Sequence, residues 1–95
     1  MCLVYKYTLA VEDRQIIEIP VSWDIISAQE QSGNIVVYVY GHESALETGK
    51  QPMTREVEII VAPTGRPFDL NGHQFLDTVK LSDGKLMFHI FYRYL

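Results

Sequence analysis

The sequence has a single cysteine, Cys2, which excludes an intrachain disulfide and a cysteine-based zinc site. A lone thiol fits a reducing compartment. No segment approaches the ~18 consecutive apolar residues of a membrane helix. Near the N-terminus no basic stretch leads into a long apolar run, so a signal peptide is not expected. A cytoplasmic protein without a membrane partner is the expectation. Positive charge is scarce, since 8 Lys and Arg stand against 12 Asp and Glu for a formal net charge of −4. The whole excess lies in residues 1–50, with three basic and seven acidic side chains, while residues 51–95 carry five of each. Without a basic stripe to neutralise phosphates, direct nucleic-acid binding is not expected. The acidic half suits a basic partner, or serves only as solubilising charge. Helical periodicity is missing too, for nowhere do apolar residues recur at intervals of three and four over a helix's length. Internal repeats and low-complexity tracts are absent.

What remains is a chain of 95 residues with 47% hydrophobic content, enough for one domain. Folding should hide roughly 65% of the surface that the unfolded chain exposes. That supplies one core, but not a core and a deep active site together. The pattern throughout is period two, the mark of strands. Leu3, Tyr5, Tyr7, Leu9 and Val11 alternate with Val4, Lys6, Thr8 and Ala10, and the short polar run Glu12–Gln15 suits a hairpin. Ile17, Ile19 and Val21 form a second strand, which Pro20 places at an edge or at its own end. Trp23 and Asp24 open a third, with Ile26 and Ala28 on one side and Ser27 and Gln29 on the other. Gln31–Asn34 supplies a tight turn into a fourth strand, Ile35–Tyr40. Gly41–Arg55 reads as one long loop, with Ala45 and Leu46 able to start a turn of helix. Val57, Ile59 and Val61 mark a fifth strand, and Phe75, Val79 and Leu81 a sixth that also sets Asp77 inward. Asp83-Gly84 signals a type I′ hairpin into the last strand, where Leu86, Phe88, Ile90, Tyr92 and Tyr94 alternate with Met87, His89, Phe91 and Arg93. Seven short strands with turn signals between them predict an all-β fold, a small antiparallel sandwich or barrel with one long loop.

The fourth and seventh strands are apolar on both faces, more than a sheet with one wet side requires. The surplus face must pack under the long loop, Gly41–Arg55, or against another subunit. Tyr38, Tyr40, Met87 and Phe91 are therefore the candidate interface residues, for a homodimer or another protein.

Chemistry is harder to find. His89 lies on an apolar face and reads as a packed, hydrogen-bonded histidine. His42 and His73 each follow a glycine and could approach one end of the domain, but a metal site would need a third ligand from Glu43 or Asp69. No metal or cofactor is expected. Asp77 reads as a buried carboxylate with a partner such as a turn N–H. In Pro63–Pro67, Gly65 permits close approach and Arg66 suits a bidentate contact with a phosphate or carboxylate, although no P-loop accompanies them. Arg66, His73, Asp69 and His42 are the candidate binding residues. No catalytic constellation is visible, so an enzyme is not expected.

Several segments taken together, Val4–Tyr7, the Gly33 turn after Ile26–Gln29, Pro63–Pro67, Gly72–Val79 and Gly84–Phe91, resemble a family of small, uncharacterised proteins found largely in bacteriophages and prophages. The resemblance implies a setting rather than a mechanism: an accessory protein that works by stoichiometric binding, blocking a host factor or an antiphage defence system. Two other roles stay open. One is an oligomeric sponge holding a small anionic nucleotide through Arg66, His73 and Tyr38. The other is a minor virion or assembly component.

Overall fold

The computed structural model describes residues 1–46 and 53–95. Seven strands form two antiparallel sheets: β1 (Cys2–Thr8), β2 (Arg14–Pro20), β3 (Asp24–Gln31), β4 (Asn34–His42), β5 (Thr54–Pro63), β6 (Gln74–Leu81) and β7 (Leu86–Tyr94). The three-stranded sheet runs β1-β4-β3 and the four-stranded sheet β2-β5-β7-β6. The molecule is thus an open sandwich, not a closed barrel.

Alternation decides which side chains meet between the sheets. From β4 come Ile35, Val37 and Val39, and from β5 Val57, Ile59 and Val61; Ile19, Ile25, Ala28, Val79, Phe88 and Ile90 complete the contact, all buried. β2 is an edge strand, and Pro20 closes it opposite Thr54. Among the described residues no helix is long and apolar enough to cross a membrane.

Four expectations change. The Glu12–Gln15 segment does not turn a hairpin, because β1 and β2 belong to different sheets and the chain crosses between them there. In β3 a bulge between Ile25 and Ser27 shifts the alternation, so Ile25 is buried while Ile26 is exposed. A bulge between Phe75 and Asp77 does the same in β6 and turns Phe75 outward, where it is 58% exposed. Each bulge adds one residue, and one residue inverts a period-two pattern. The long loop is also shorter than Gly41–Arg55: β4 continues to His42, a 3₁₀ turn spans Glu43–Leu46, and β5 begins at Thr54. Glu47, Gly49, Lys50 and Pro52 of that expected loop lie outside the described residues.

Both hairpin signals hold, with one adjustment. Ser32 and Gly33, with φ of 52° and 83°, make the two-residue turn between β3 and β4, so the positive φ expected at Gly33 and Asn34 falls one residue earlier and Asn34 already belongs to β4. Between β6 and β7 the loop is longer than a type I′ turn, since Leu81 pairs with Leu86 and Ser82, Asp83 and Gly84 all take positive φ. Glycine and the short polar Asp tolerate that conformation best.

One end of the sandwich is tied by polar groups. Arg55 donates to Trp23 O and to Asp24 Oδ1 at 3.2 Å, and its guanidinium lies 3.8 Å from the centroid of the Tyr94 ring. The Tyr94 hydroxyl accepts the Ile25 N–H at 3.0 Å. Burial is the main influence holding the Tyr94 phenol above its ordinary value of 10.0; Asp24 adds to it, while the Ile25 N–H and Arg55 oppose. The fold therefore favours the neutral phenol. This contribution is fully present below the ordinary tyrosine value and is lost as pH rises through the higher folded value. Urea midpoints measured from about pH 9 to 11.5 should fall less steeply in Tyr94→Phe than in the wild type. Equal slopes would show that Tyr94 ionises freely in the folded protein.

Candidate functional site

The outward face of the four-stranded sheet carries the site. Register sets its rows: Ile16, Glu58 and Arg93 lie side by side on β2, β5 and β7, and Arg14, Ile60, Phe91 and Phe75 form the next row. A sheet face turned to water should not bury Ile60 and Ala62, yet both are 2% exposed. The connection between β5 and β6, residues 64–73, folds back over them. Phe68 packs on Phe91 with ring centroids 5.1 Å apart, and Phe75 meets Phe91 edge-on at 5.6 Å. Among the described residues, the surplus apolar face of β7 is thus covered by the connection between β5 and β6.

At the far end of this connection, charge gathers around Glu58. Its Oε1 lies 3.1 Å from Arg14 Nη1, 2.9 Å from His73 Nε2 and 3.9 Å from Arg93 Nη2. Arg14 also donates to the Asp69 carbonyl, which fastens the connection to β2. The His73 side chain is fully buried. Glu58 approaches it off the direction of a ring N–H, so neither ring nitrogen has a well-directed hydrogen bond, and Arg93 Nε is likewise buried without one. Hydrogen-bonding capacity in this cluster therefore exceeds what the described residues satisfy. Beside it, a shallow groove runs between Asp13, Arg14, Ile60, Phe68 and Arg66.

Of the expected binding residues, His73 meets Glu58, Asp69 reaches the same cluster only through its backbone carbonyl on Arg14, and Arg66 lines the adjoining groove. His42 does not join them. It ends β4 in the other sheet, with Nε2 3.1 Å from the Met1 amine and Nδ1 accepting the Ser44 N–H at 3.1 Å. Among the described residues no three His, Cys, Asp or Glu side chains cluster as a metal site. His89 is half-buried, its ring nitrogens 2.8 Å from Thr64 Oγ1 and 3.0 Å from Thr78 Oγ1, a packed and bonded histidine. Asp77 accepts the Ala28 N–H at 3.3 Å and the Thr78 N–H at 3.0 Å, joining β6 to the bulged β3.

The DUF7352 family, a domain of unknown function, matches residues 1–95. The chain belongs to this family. No curated protein and no solved structure matches it. The family is an uncharacterised one, as the resemblance implied; a phage or prophage origin does not follow from it.

The four expected interface residues do not share a surface. Tyr38 and Tyr40 lie on the outward face of the three-stranded sheet, and Met87 and Phe91 on the outward face of the other. A nucleotide held by Arg66, His73 and Tyr38 would likewise need two copies, because Tyr38 is on the opposite sheet from the other two. Glu58, Arg14 and Arg93 were not singled out by sequence. Glu58 and Arg93 were legible only as outward strand positions and Arg14 only as part of a polar turn, which says nothing until the strand order makes them neighbours.

Proposed function

We propose that this domain acts by stoichiometric binding, as an accessory protein of phage type that holds a host protein, such as a component of an antiphage defence system, and blocks it. The outward face of the four-stranded sheet is the contact surface. Its composition carries the reading. Three of the four arginines in the chain, Arg14, Arg66 and Arg93, collect there although the protein as a whole is acidic. Phe68, Leu70 and Phe75 stand among them, 44%, 52% and 58% exposed. Arginine and aromatic side chains on a rigid, concave support are the usual makings of a protein-binding centre. The chemistry suits a partner that presents carboxylates around an apolar anchor. A shallow groove without a nucleophile–base pair offers little to turnover and much to docking.

Affinity capture from bacterial lysate with the wild-type chain should return one partner in stoichiometric amount. Phe68→Ala should weaken that complex by roughly 10- to 100-fold, the range of a central aromatic anchor, and Arg66→Glu should abolish recovery. Arg66 is exposed, whereas Phe68 also packs on Phe91, so the Phe68→Ala loss counts as binding only if its thermal melt stays close to wild type. Recovery unchanged in both variants would remove this face from the reading.

A further inference from the structure

An open sandwich has strand edges, and among the described residues these are β1 and β3 in one sheet and β2 and β6 in the other. Unpaired edges template further strands, and proteins blunt them with proline, charge, bulges or cover. Three of these edges are blunted. β2 carries Arg14 and Glu18 and ends at Pro20. β3 is bulged, packs beside β6, and has its Ala28 N–H taken by Asp77. β6 has its own bulge and carries Lys80. β1 is different: it has no proline, an unbroken register with β4, and a single charge, Lys6. That charge is drawn away over the sheet face, where Lys6 Nζ donates to Gln31 Oε1 at 2.9 Å.

The free groups of β1 have a definite order. Leu9 N–H donates to Ile35 O and Glu43 N–H to Met1 O, both at 2.8 Å. With the register of the pair, this turns the backbone groups of Leu3, Tyr5 and Tyr7 toward β4, and those of Cys2, Val4, Lys6 and Thr8 toward the open edge. The outward set is symmetric about Tyr5. We infer that β1 pairs antiparallel with β1 of a second copy, about a two-fold axis at Tyr5, so that the two three-stranded sheets become one. Val4 then stands opposite the partner's Lys6, and Cys2 opposite the partner's Thr8. Both are hydrogen-bonded pairs, and every outward N–H and C=O on the two strands is satisfied.

A second copy fits this edge better than a foreign strand. The only charge in the strand meets valine rather than its own image, and the free groups match themselves under a two-fold rotation, as an isologous contact requires. Tyr5 meets the partner's Tyr5 in a non-hydrogen-bonded pair, where side chains approach most closely. Its ring is 42% exposed in the single chain, and the half-buried Leu3 and Tyr7 flank it. Pairing therefore covers an apolar strip as well as an edge. The inference stands apart from the binding face proposed above, which lies on the other sheet.

Native mass spectrometry and sedimentation velocity on the full chain, from about 1 to 100 µM, the range for a small interface, should show twice the 10.9 kDa chain mass. The Lys6 N–H points outward, so Lys6→Pro removes no bond to β4 and should abolish the dimer while leaving the monomer folded. Thr8→Cys sets a thiol opposite the partner's Cys2, at the roughly 5.5 Å Cα separation of a hydrogen-bonded pair. Within one chain those two positions are about 20 Å apart, beyond disulfide reach. With oxidised glutathione as electron acceptor, Thr8→Cys should give a covalent dimer joining position 2 of one copy to position 8 of the other, identified by peptide mapping. A monomer throughout the range, a dimer that persists in folded Lys6→Pro, or no such bridge in Thr8→Cys would each overturn the inference. Should Lys6→Pro fail to fold, the bridge decides.

Discussion

Replacing Gly41 with alanine is expected to lower the unfolding free energy by about 3 kcal/mol, the upper end for a methyl forced into a packed core. Gly41 is needed for space. A Cβ at this position would lie 2.1 Å from Trp23 Cδ1 and 2.5 Å from Nε1. The indole cannot move aside easily: it is fully buried, its Nε1 donates to His42 O at 3.2 Å, and the Tyr5 ring packs 5.0 Å away. For a domain whose whole stability is on the order of 5–15 kcal/mol, such a loss is large. Urea titration should show a lower midpoint with an unchanged slope. The emission of Trp23, the sole tryptophan, should shift to the red as its packing loosens. Trp23→Leu alone should cost about 3 kcal/mol through the lost ring. In that background Gly41→Ala should cost much less, because the atoms it meets are gone. Additive losses in the double variant would rule out the steric account.

Removing the carboxylate of Glu58 is the second large effect. Glu58→Leu is expected to cost about 2–3 kcal/mol, below the 3–5 typical of a broken buried pair. The discount reflects a Glu58 side chain that is 21% exposed and partly screened by water, and an Arg14 that is more open still. His73 and Arg93 bear most of the loss, since they already hold buried nitrogens without well-directed partners. Glu58→Gln, which keeps the shape and loses the charge, should fall between wild type and leucine. Adding Arg93→Leu to Glu58→Leu should recover part of the stability by taking away a cation left without its anion. A loss under about 0.5 kcal/mol in Glu58→Leu would show the cluster to be as solvent-screened as an ordinary surface ion pair.

These two positions show how unevenly the sequence can be read. Trp23 was legible as the start of a strand, but its tight fit against Gly41 was not, because the contact joins β4 to the crossing between the sheets. Arg66, His73 and Asp69 were legible as candidates because turn residues around them suggested a loop at a binding surface. Glu58, to which His73 turns, was one outward residue among several on β5. Phe75 was placed in the core for lack of any sign of a bulge: the extra residue in β6 has no composition of its own and shows only as a shifted hydrogen-bond ladder.

Period-two alternation along almost the whole chain determined, by itself, an all-β domain of seven strands, since no other backbone geometry buries every second residue. Local composition also determined that a tight turn falls within Gln31–Asn34, because Gly33 meets a local demand for positive φ, whereas Pro20 left β2 either at an edge or simply ending there. Strand order, the sheet to which each strand belongs, and the two bulges were decided only in the tertiary structure. Those depend on which strands exchange hydrogen bonds, and every strand offers the same backbone groups to any neighbour. The arginine-rich face over the four-stranded sheet and the edge of β1, unpaired among the described residues, both arise at that level, from partners that are far apart in the chain.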